Sequence, residues 1–415
     1  MHKSFSIQIP KSHDMWQWCD TICEKGKRLY NFGIYKFRQK WINEHKILSF
    51  KELYEEMKTC DDYNCFGQQC ISQQVTRDIQ EITQSFTQSL KSYKKSPDSF
   101  QSRPKLPKYK DKIKGRFQVC FVLSGTAQPV NKWYKRDRVI KFNGLHKNEI
   151  FLPKRLDDKT IKEILIVPNT NCYEIVFNYI EEIETKPNLD INKVASIDLG
   201  LNNLCALTFG EKYKNPLLIN GKHLKSINQY FNKKRSRLQS LLPKNQFSSN
   251  QIKRLTRKRN NKINNELHVI SRKIIDKLID NNIGILVIGN NKGWKQNTNL
   301  GNRNNQNFVS IPYNKLIQQL TYKFEEYGGK IIIQEESYTS KASFLDLDPI
   351  PTYSNNQKCD YTFSGKRVKR GLYKSKNRIL LNADINASYN IMRKAVPDIF
   401  IDGIEGVGLH PEWLK

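Results

Sequence analysis

An α/β fold, a mixed sheet with helices on its faces preceded by a β-rich module with a helical insert, follows from three observations. From about Ile191 onward the segments run strand, strand, strand, helix, strand, helix, strand, helix. Residues 13–93 space their apolar and aromatic positions helically, with few Gly and no Pro. Residues 115–186 carry short β-rich segments.

Taken in order, residues 3–9 (KSFSIQI) alternate like a short strand, and the pattern turns helical past Pro10. Trp16, Ile22, Leu29, Phe32, Tyr35, Phe37 and Trp41 mark a small helical domain. Pro and Lys dominate from Lys95 to Lys112, as in an irregular basic linker. RFQVCFVLS, RVIKFNG and CYEIVFNYIEEI then read as strands. Beyond them VASIDLGLNN, LCALTFG and PLLING are three consecutive strands, and one long basic helical stretch is expected from about Lys225 to Asn282. A strand (IGILVIG), a helix over about 313–327, a strand (KIIIQEE), an irregular stretch and a helix from near Asp384 complete the order. That order is RNase H-like.

Lys and Arg number 70 against 40 Asp and Glu, a formal net charge of +30. A compact chain so charged repels itself, so a polyanionic partner is expected. Nucleic acid comes first, because Lys and Arg displace the counterions condensed on phosphates. No membrane partner is expected: no run approaches the ~18 apolar residues of a spanning helix, and MHKSFSIQIPKSHD has no apolar core of a secretory signal. Nine scattered cysteines make no disulfide framework and fit a reducing compartment. Cys60, Cys65 and Cys70, without nearby histidines, read as ordinary thiols.

Asp198 ends an apolar strand in SIDLGLNNLCALT, and Asp384 opens the last helix in NADINASYNIM. Taken singly, Asp384 reads as an N-cap and Asp198 as a turn residue near Gly200. Together, on the first strand and last helix of this order, they read as metal ligands. Phosphodiester cleavage by two metals, ~4 Å apart, needs more than two carboxylates. The third acid of this fold commonly ends the fourth strand, but ILVIGNNKGWKQ has Gly289 there. The fifth strand offers Glu335 and Glu336, one of which faces the cleft by alternation. It lies two strands from the first, roughly 10 Å away, and a glycine at 289 leaves that path open.

SIDLGLNNLCAL resembles the first RuvC motif of TnpB proteins, and NADINASYNI resembles the third. NNELHVISRKIID, with His268, is similar to the family's long helix, and EESYTSKAS to its Y-T-S-K segment. The resemblance runs from about Ile191 to Ile391; the N-terminal half matches only in general layout. It implies a transposon-encoded, RNA-guided DNA endonuclease, related to type V CRISPR effectors and Fanzor proteins. It implies Mg²⁺ or Mn²⁺ at the site, a guide RNA from the transposon end, double-stranded target DNA, and a monomer with its RNA. The expected location is the nucleoid-associated cytoplasm of a prokaryote, or the nucleus of a eukaryote. The implied organisation is a β-rich wedge-type module over 1–10 and 98–190, a helical recognition domain over 11–97, a RuvC-like domain over 191–338 and 383–415, and an insert over 339–382.

The sequence departs from the family pattern twice. A subset of the family places its glutamate three residues before the Thr of the T-S-K segment; back from Thr339 that is Glu336, with Glu335 the second choice. The expected catalytic and metal-binding set is therefore Asp198, Glu336 and Asp384. Most of the family also carries a zinc ribbon built from two C-x-x-C pairs. Here Ser343 and Asp346 stand at the first pair, no second pair precedes Asp384, and Cys359 is alone, so no structural zinc is expected.

For nucleic acid, KRLTRKRNNK offers Lys253, Arg254, Arg257, Lys258, Arg259 and Lys262 with no acid, and KKRSR (233–237) adds four more cations. A solvated helix usually alternates sign, so phosphate contact is favoured. Trp294 and NLGNRNNQNF are candidates for stacking or hydrogen bonding near the cleft. Two other readings compete: a nuclease-dead guided DNA-binding repressor, for which Gly289 speaks, and a protein that binds RNA only, which leaves the carboxylates unexplained.

Overall fold

A computed structural model describes residues 2–67, 69–122, 139–141, 149–156, 159–181, 187–291, 310–352 and 361–414, leaving aside the side chains of 139–141 and 149–151. Trp294, the loop 299–308 and Cys359 lie outside the described residues. Two compact units are Met1–Ile183 and Glu184–Lys415.

In the first unit β1 (His2–Pro10) leads into helices α1 (Trp16–Glu44), α2 (Phe50–Lys58) and α3 (Gln69–Lys95), and the chain returns as strands. These are β2 (Val119–Val122), β3 (Val139–Lys141), β4 (Glu149–Phe151), β5 (Thr160–Asn169) and β6 (Cys172–Ile180). A four-stranded sheet of order β1-β6-β5-β2 thus has the three helices inserted after its first strand. Alternation in β1 pairs it antiparallel with β6, Phe5 opposite Phe177. Helix α1 buries Cys19, Ile22, Cys23, Leu29, Ile34 and Phe37 on the inward stripe that 3.6-residue spacing dictates. A reciprocal Ser49–Glu52 capping box starts α2. The basic linker is tied back to α1, where Asn31 exchanges two hydrogen bonds with the Lys110 backbone.

The second unit follows the expected order. It runs β7 (Asp190–Leu199), β8 (Asn203–Phe209), β9 (Leu217–Asn220), α4 (Lys222–Ser240), α5 (Asn250–Asp280), β10 (Ile283–Gly289), α6 (Tyr313–Glu326) and β11 (Lys330–Gln334). Then come β12 (Lys366–Lys369), β13 (Leu372–Lys374), β14 (Leu380–Asn382), α7 (Ala383–Ala395) and β15 (Glu412–Trp413). The main sheet has the order β11-β10-β7-β8-β9-β15. Strand β7 pairs parallel with β10 and antiparallel with β8, and β10 pairs parallel with β11. One sheet face buries Leu267, Ile274, Leu316 and Phe324 of the middle helices; the other buries Ile385, Tyr389 and Met392 of α7.

Three expectations need correction. The long basic stretch is two helices, because Pro243 interrupts it and Ser249 caps a new start by accepting from the Ile252 N–H. The irregular stretch before the last helix contains the small sheet β12-β13-β14. Strand β11 stops at Gln334, so Glu335 and Glu336 lie just past its end.

Candidate active site

Strand β7 carries Asp198 at the sheet's centre, next to the tight turn into β8. At Gly200 a Cβ would meet the Asn203 carbonyl oxygen at 2.5 Å, so the turn needs glycine. The Tyr313 hydroxyl fixes that turn by donating to the Gly200 carbonyl at 2.8 Å.

Helix α7 is held over β7 and β8 by buried hydroxyls. Ser196 Oγ donates to the Ser388 carbonyl at 2.6 Å, Ser388 Oγ donates to the Ser196 carbonyl at 3.0 Å, and Thr208 Oγ1 lies 2.9 Å from Ser388 Oγ. The N-cap of α7 is Asn382, which accepts from the Asp384 and Ile385 N–H groups. Asp384 is therefore not the cap, and its carboxylate has other partners. Its Oδ2 accepts from Asn203 Nδ2 at 2.8 Å and Oδ1 from Arg367 Nη2 at 3.3 Å. Arg367 comes from β12, so the insert contributes to the site.

Glu335 and Glu336 have separate tasks. Glu335 accepts from Lys394 Nζ at 2.6 Å and from the Ser337 backbone N–H at 2.7 Å, which commits it to structure. Lys394 itself is nearly buried, its side chain 7% exposed. Glu336 turns to the sheet: a Cβ added at Gly289 would stand 2.8 Å from its Oε2 and 2.5 Å from Ile391 Cδ1. Gly289 pairs with Gln334 of β11, and its predecessor Ile288 with Ile197, so the glycine gap lies between Glu336 and Asp198. The turn after Glu336 is held by Asn390 Nδ2, which donates to the Thr339 and Ala342 carbonyls at 3.0 and 2.8 Å, and by Asn386 Nδ2 to Ala342 at 2.8 Å. Tyr338 in that turn has φ +63°, a strained value for a bulky residue.

The electrostatics follow from this crowding. Burial drives the Asp198 carboxyl well above its usual range, Glu336 and then Asp384 push it further, and Arg367 opposes. Burial first and Glu335 second raise Glu336 to about 7. Among the described residues no three His, Cys, Asp or Glu side chains converge closely enough to hold an ion as they stand.

The basic helix divides in two. Lys253, Arg254, Lys258 and Lys262 are exposed. Arg257 is half-buried and has a partner of its own. Arg259 is spent inside the fold: it donates to Asn228 Oδ1 at 2.6 and 2.8 Å and to the Ser310 carbonyl at 2.6 Å, and covers the Phe231 ring. Its expected phosphate contact is replaced by a link between α4 and α5. Sequence reasoning missed Asn203, Arg367, Asn386 and Asn390. The i,i+4 spacing of Asn386 and Asn390 was the available signal for the last two.

Two family models match in succession: one described as a probable transposase over residues 177–295, the other as the Cas12f1-like TNB domain over 313–391. Between them they take in Asp198, Glu336 and Asp384. Over these stretches the chain is similar to TnpB-family proteins. A TnpB-like protein ORF457 of Acidianus two-tailed virus is 25% identical over 217 residues, 49% of this chain. That match spans 42% of the viral protein's length. Among solved structures, the Cas12f1–sgRNA–target DNA complex gives a TM-score of 0.58 at 15% identity, covering 91% of this chain and 83% of that one. At that identity the likeness speaks for the fold alone.

Proposed function

We propose that the chain is a transposon-encoded, RNA-guided, metal-dependent DNA endonuclease that cuts target DNA next to a short motif. The observation that supports this reading is the buried Asp198 carboxyl at the end of the central strand, raised well above its usual range by burial first and then by the charges of Glu336 and Asp384. Clustered carboxylates of this kind suit hard divalent cations. Asp198, Glu336 and Asp384 would hold Mg²⁺ or Mn²⁺, which when bound supplies charge stabilisation to a phosphate undergoing in-line displacement. Arg367, now on Asp384, is placed to hold a phosphate oxygen once that carboxylate turns. Asn203 orients Asp384 through the same carboxylate.

Lys253, Arg254, Lys258 and Lys262 would contact backbone phosphates, while base pairing with the guide reads the sequence. Guide RNA and target DNA are the partners that the TnpB resemblance implies, and the solved Cas12f1 complex contains an sgRNA and target DNA. The wedge-type and helical parts of the first unit would hold the RNA, and a monomer with its RNA is the expected assembly. The absence of an acid at Gly289 favours a second reading, a nuclease-dead guided repressor.

Sequencing the RNA that co-purifies with the chain, then reprogramming its guide segment against a plasmid, tests both. A single RNA species with guided, Mg²⁺-dependent cutting is expected. Guided binding without cutting selects the repressor, and no specific RNA overturns both.

A further inference from the structure

The segment between Glu211 and Glu266 holds 15 Lys and Arg and no acid. Within it, α4 buries Leu224 and Asn228, and Phe231 lies under Arg259 of α5. The opposite face of α4 has a pattern of its own. Tyr230, Lys234, Arg237 and Leu241 fall within ~60° of one another at ~100° per residue. All four are exposed, Tyr230 by 60% and Leu241 by 73%. Lys234 Nζ lies 5.9 Å from the Tyr230 ring centroid. In the connector to α5, Phe247 is 82% exposed, with Lys244 three residues before it.

Single exposed apolar groups need no explanation. Here two large ones, Tyr230 and Leu241, flank Lys234 and Arg237 on one outward stripe of an acid-free segment, and a third, Phe247, is exposed in the connector that follows. An acid-free surface matches a polyanion, and rings between its cations match the faces of unpaired bases. A duplex offers phosphates but hides its base faces in the stack.

We propose that Tyr230, Lys234, Arg237, Leu241 and Phe247 form a platform for single-stranded nucleic acid, the rings stacking on bases and the cations tracking phosphates. From Tyr230 to Leu241 the platform is ~16 Å long at ~1.5 Å per residue, enough for a few nucleotides. It deepens the reading of a guided nuclease, which supplies two single strands: the unpaired part of the guide RNA and the displaced DNA strand.

The test uses the full chain and free 20-mers of single-stranded DNA, single-stranded RNA and blunt duplex DNA, followed by fluorescence anisotropy at one salt concentration. The double variant Tyr230→Ala/Phe247→Ala should bind one or both single strands roughly 10- to 100-fold more weakly, the loss expected for stacked rings. Duplex affinity should change less than about twofold. Quenching of a 2-aminopurine base in the affected strand should disappear as well. Whichever single strand loses affinity names the source. Because both residues are exposed, the variant should keep the wild-type melting curve. Unchanged single-strand binding, or an equal loss on duplex, overturns the platform. Loss confined to anionic lipid vesicles overturns it too and marks a membrane surface. Since no cleavage or guide is needed, a failed nuclease reading leaves this result legible.

Discussion

Two places in the second unit lack the residue that the family pattern puts there, and they make good the loss by different physics. At the end of the sheet that carries Asp198 the fourth strand ends in Gly289, and in the proposed site the charge comes instead from Glu336, just past the neighbouring strand. In the insert, Ser343 and Asp346 stand at the first Cys pair, and hydrogen bonds do the joining. Ser343 Oγ donates to Asp346 Oδ2 at 2.5 Å, and that oxygen also accepts the Lys376 N–H at 2.8 Å. Buried Asp348 accepts from the Ser343 and Ser364 N–H groups at 2.8 and 3.0 Å and from Ser364 Oγ at 2.6 Å. A metal ligand must bring its charge to one point in space, though from any strand that reaches it. A structural cross-link needs only to connect chain segments, so neutral donors and two aspartates suffice.

The largest effect should come from removing the relocated charge. Glu336→Gln is expected to lower guided plasmid cleavage by roughly a thousandfold, about 4 kcal/mol of barrier, while guided binding persists. Asp198→Ala and Asp384→Ala should behave alike in the same gel assay. Glu335→Gln should retain cutting and instead lower stability by about 1–3 kcal/mol, because the nearly buried Lys394 loses its carboxylate partner and keeps only the Ser337 and Pro351 carbonyls. Equal, full activity in both Gln variants would remove the basis for relocation.

Next comes the gap itself. Gly289→Ala puts a Cβ into both Glu336 Oε2 and Ile391, so cleavage should fall about 10- to 100-fold from a displacement of about an ångström. For the same reason Gly289→Glu should not rescue Glu336→Gln: the added side chain meets residue 336 before it reaches the cleft. A rescued double variant, measured by single-turnover cleavage, would show that the space is larger than the contacts allow.

The insert should respond in stability rather than chemistry. Asp348→Ala should cost about 1–3 kcal/mol in chemical denaturation, since the buried Ser343 N–H loses its acceptor. Metal analysis should find well below one zinc per chain, and chelation should leave the melting curve unchanged. Stoichiometric, dialysis-resistant zinc would break the comparison.

The smallest effect concerns pH. Glu336 titrates near 7 when folded and near 4.5 otherwise, so between those values the folded chain binds the extra proton. Stability without divalent ions should therefore fall as pH rises from about 4.5 to 7. Glu336→Gln should stabilise the metal-free chain at pH 8 by about 1–3 kcal/mol and have no effect near pH 4. Denaturation in EDTA at the two pH values checks this.

The sequence by itself determined the order of the main-sheet strands β7 to β11 and of the last helix, because the switch between strand and helix periodicity is local; the split of the basic helix and the small sheet β12-β13-β14 were not read from it. It also determined which acids were candidates, since Asp198 and Asp384 sit on recognisable strand and helix ends. Tertiary structure decided what each polar group does. Glu335 and Glu336 are adjacent and chemically alike, and only Lys394, 59 residues on, separates their roles. Arg259 looks like its neighbours in KRLTRKRNNK, yet Asn228 and Ser310 claim it from other elements. Asp384 was a plausible cap until Asn382 took that task. Periodicity records which face of an element is buried; a carboxylate or guanidinium is defined by partners that the chain brings from far along its length.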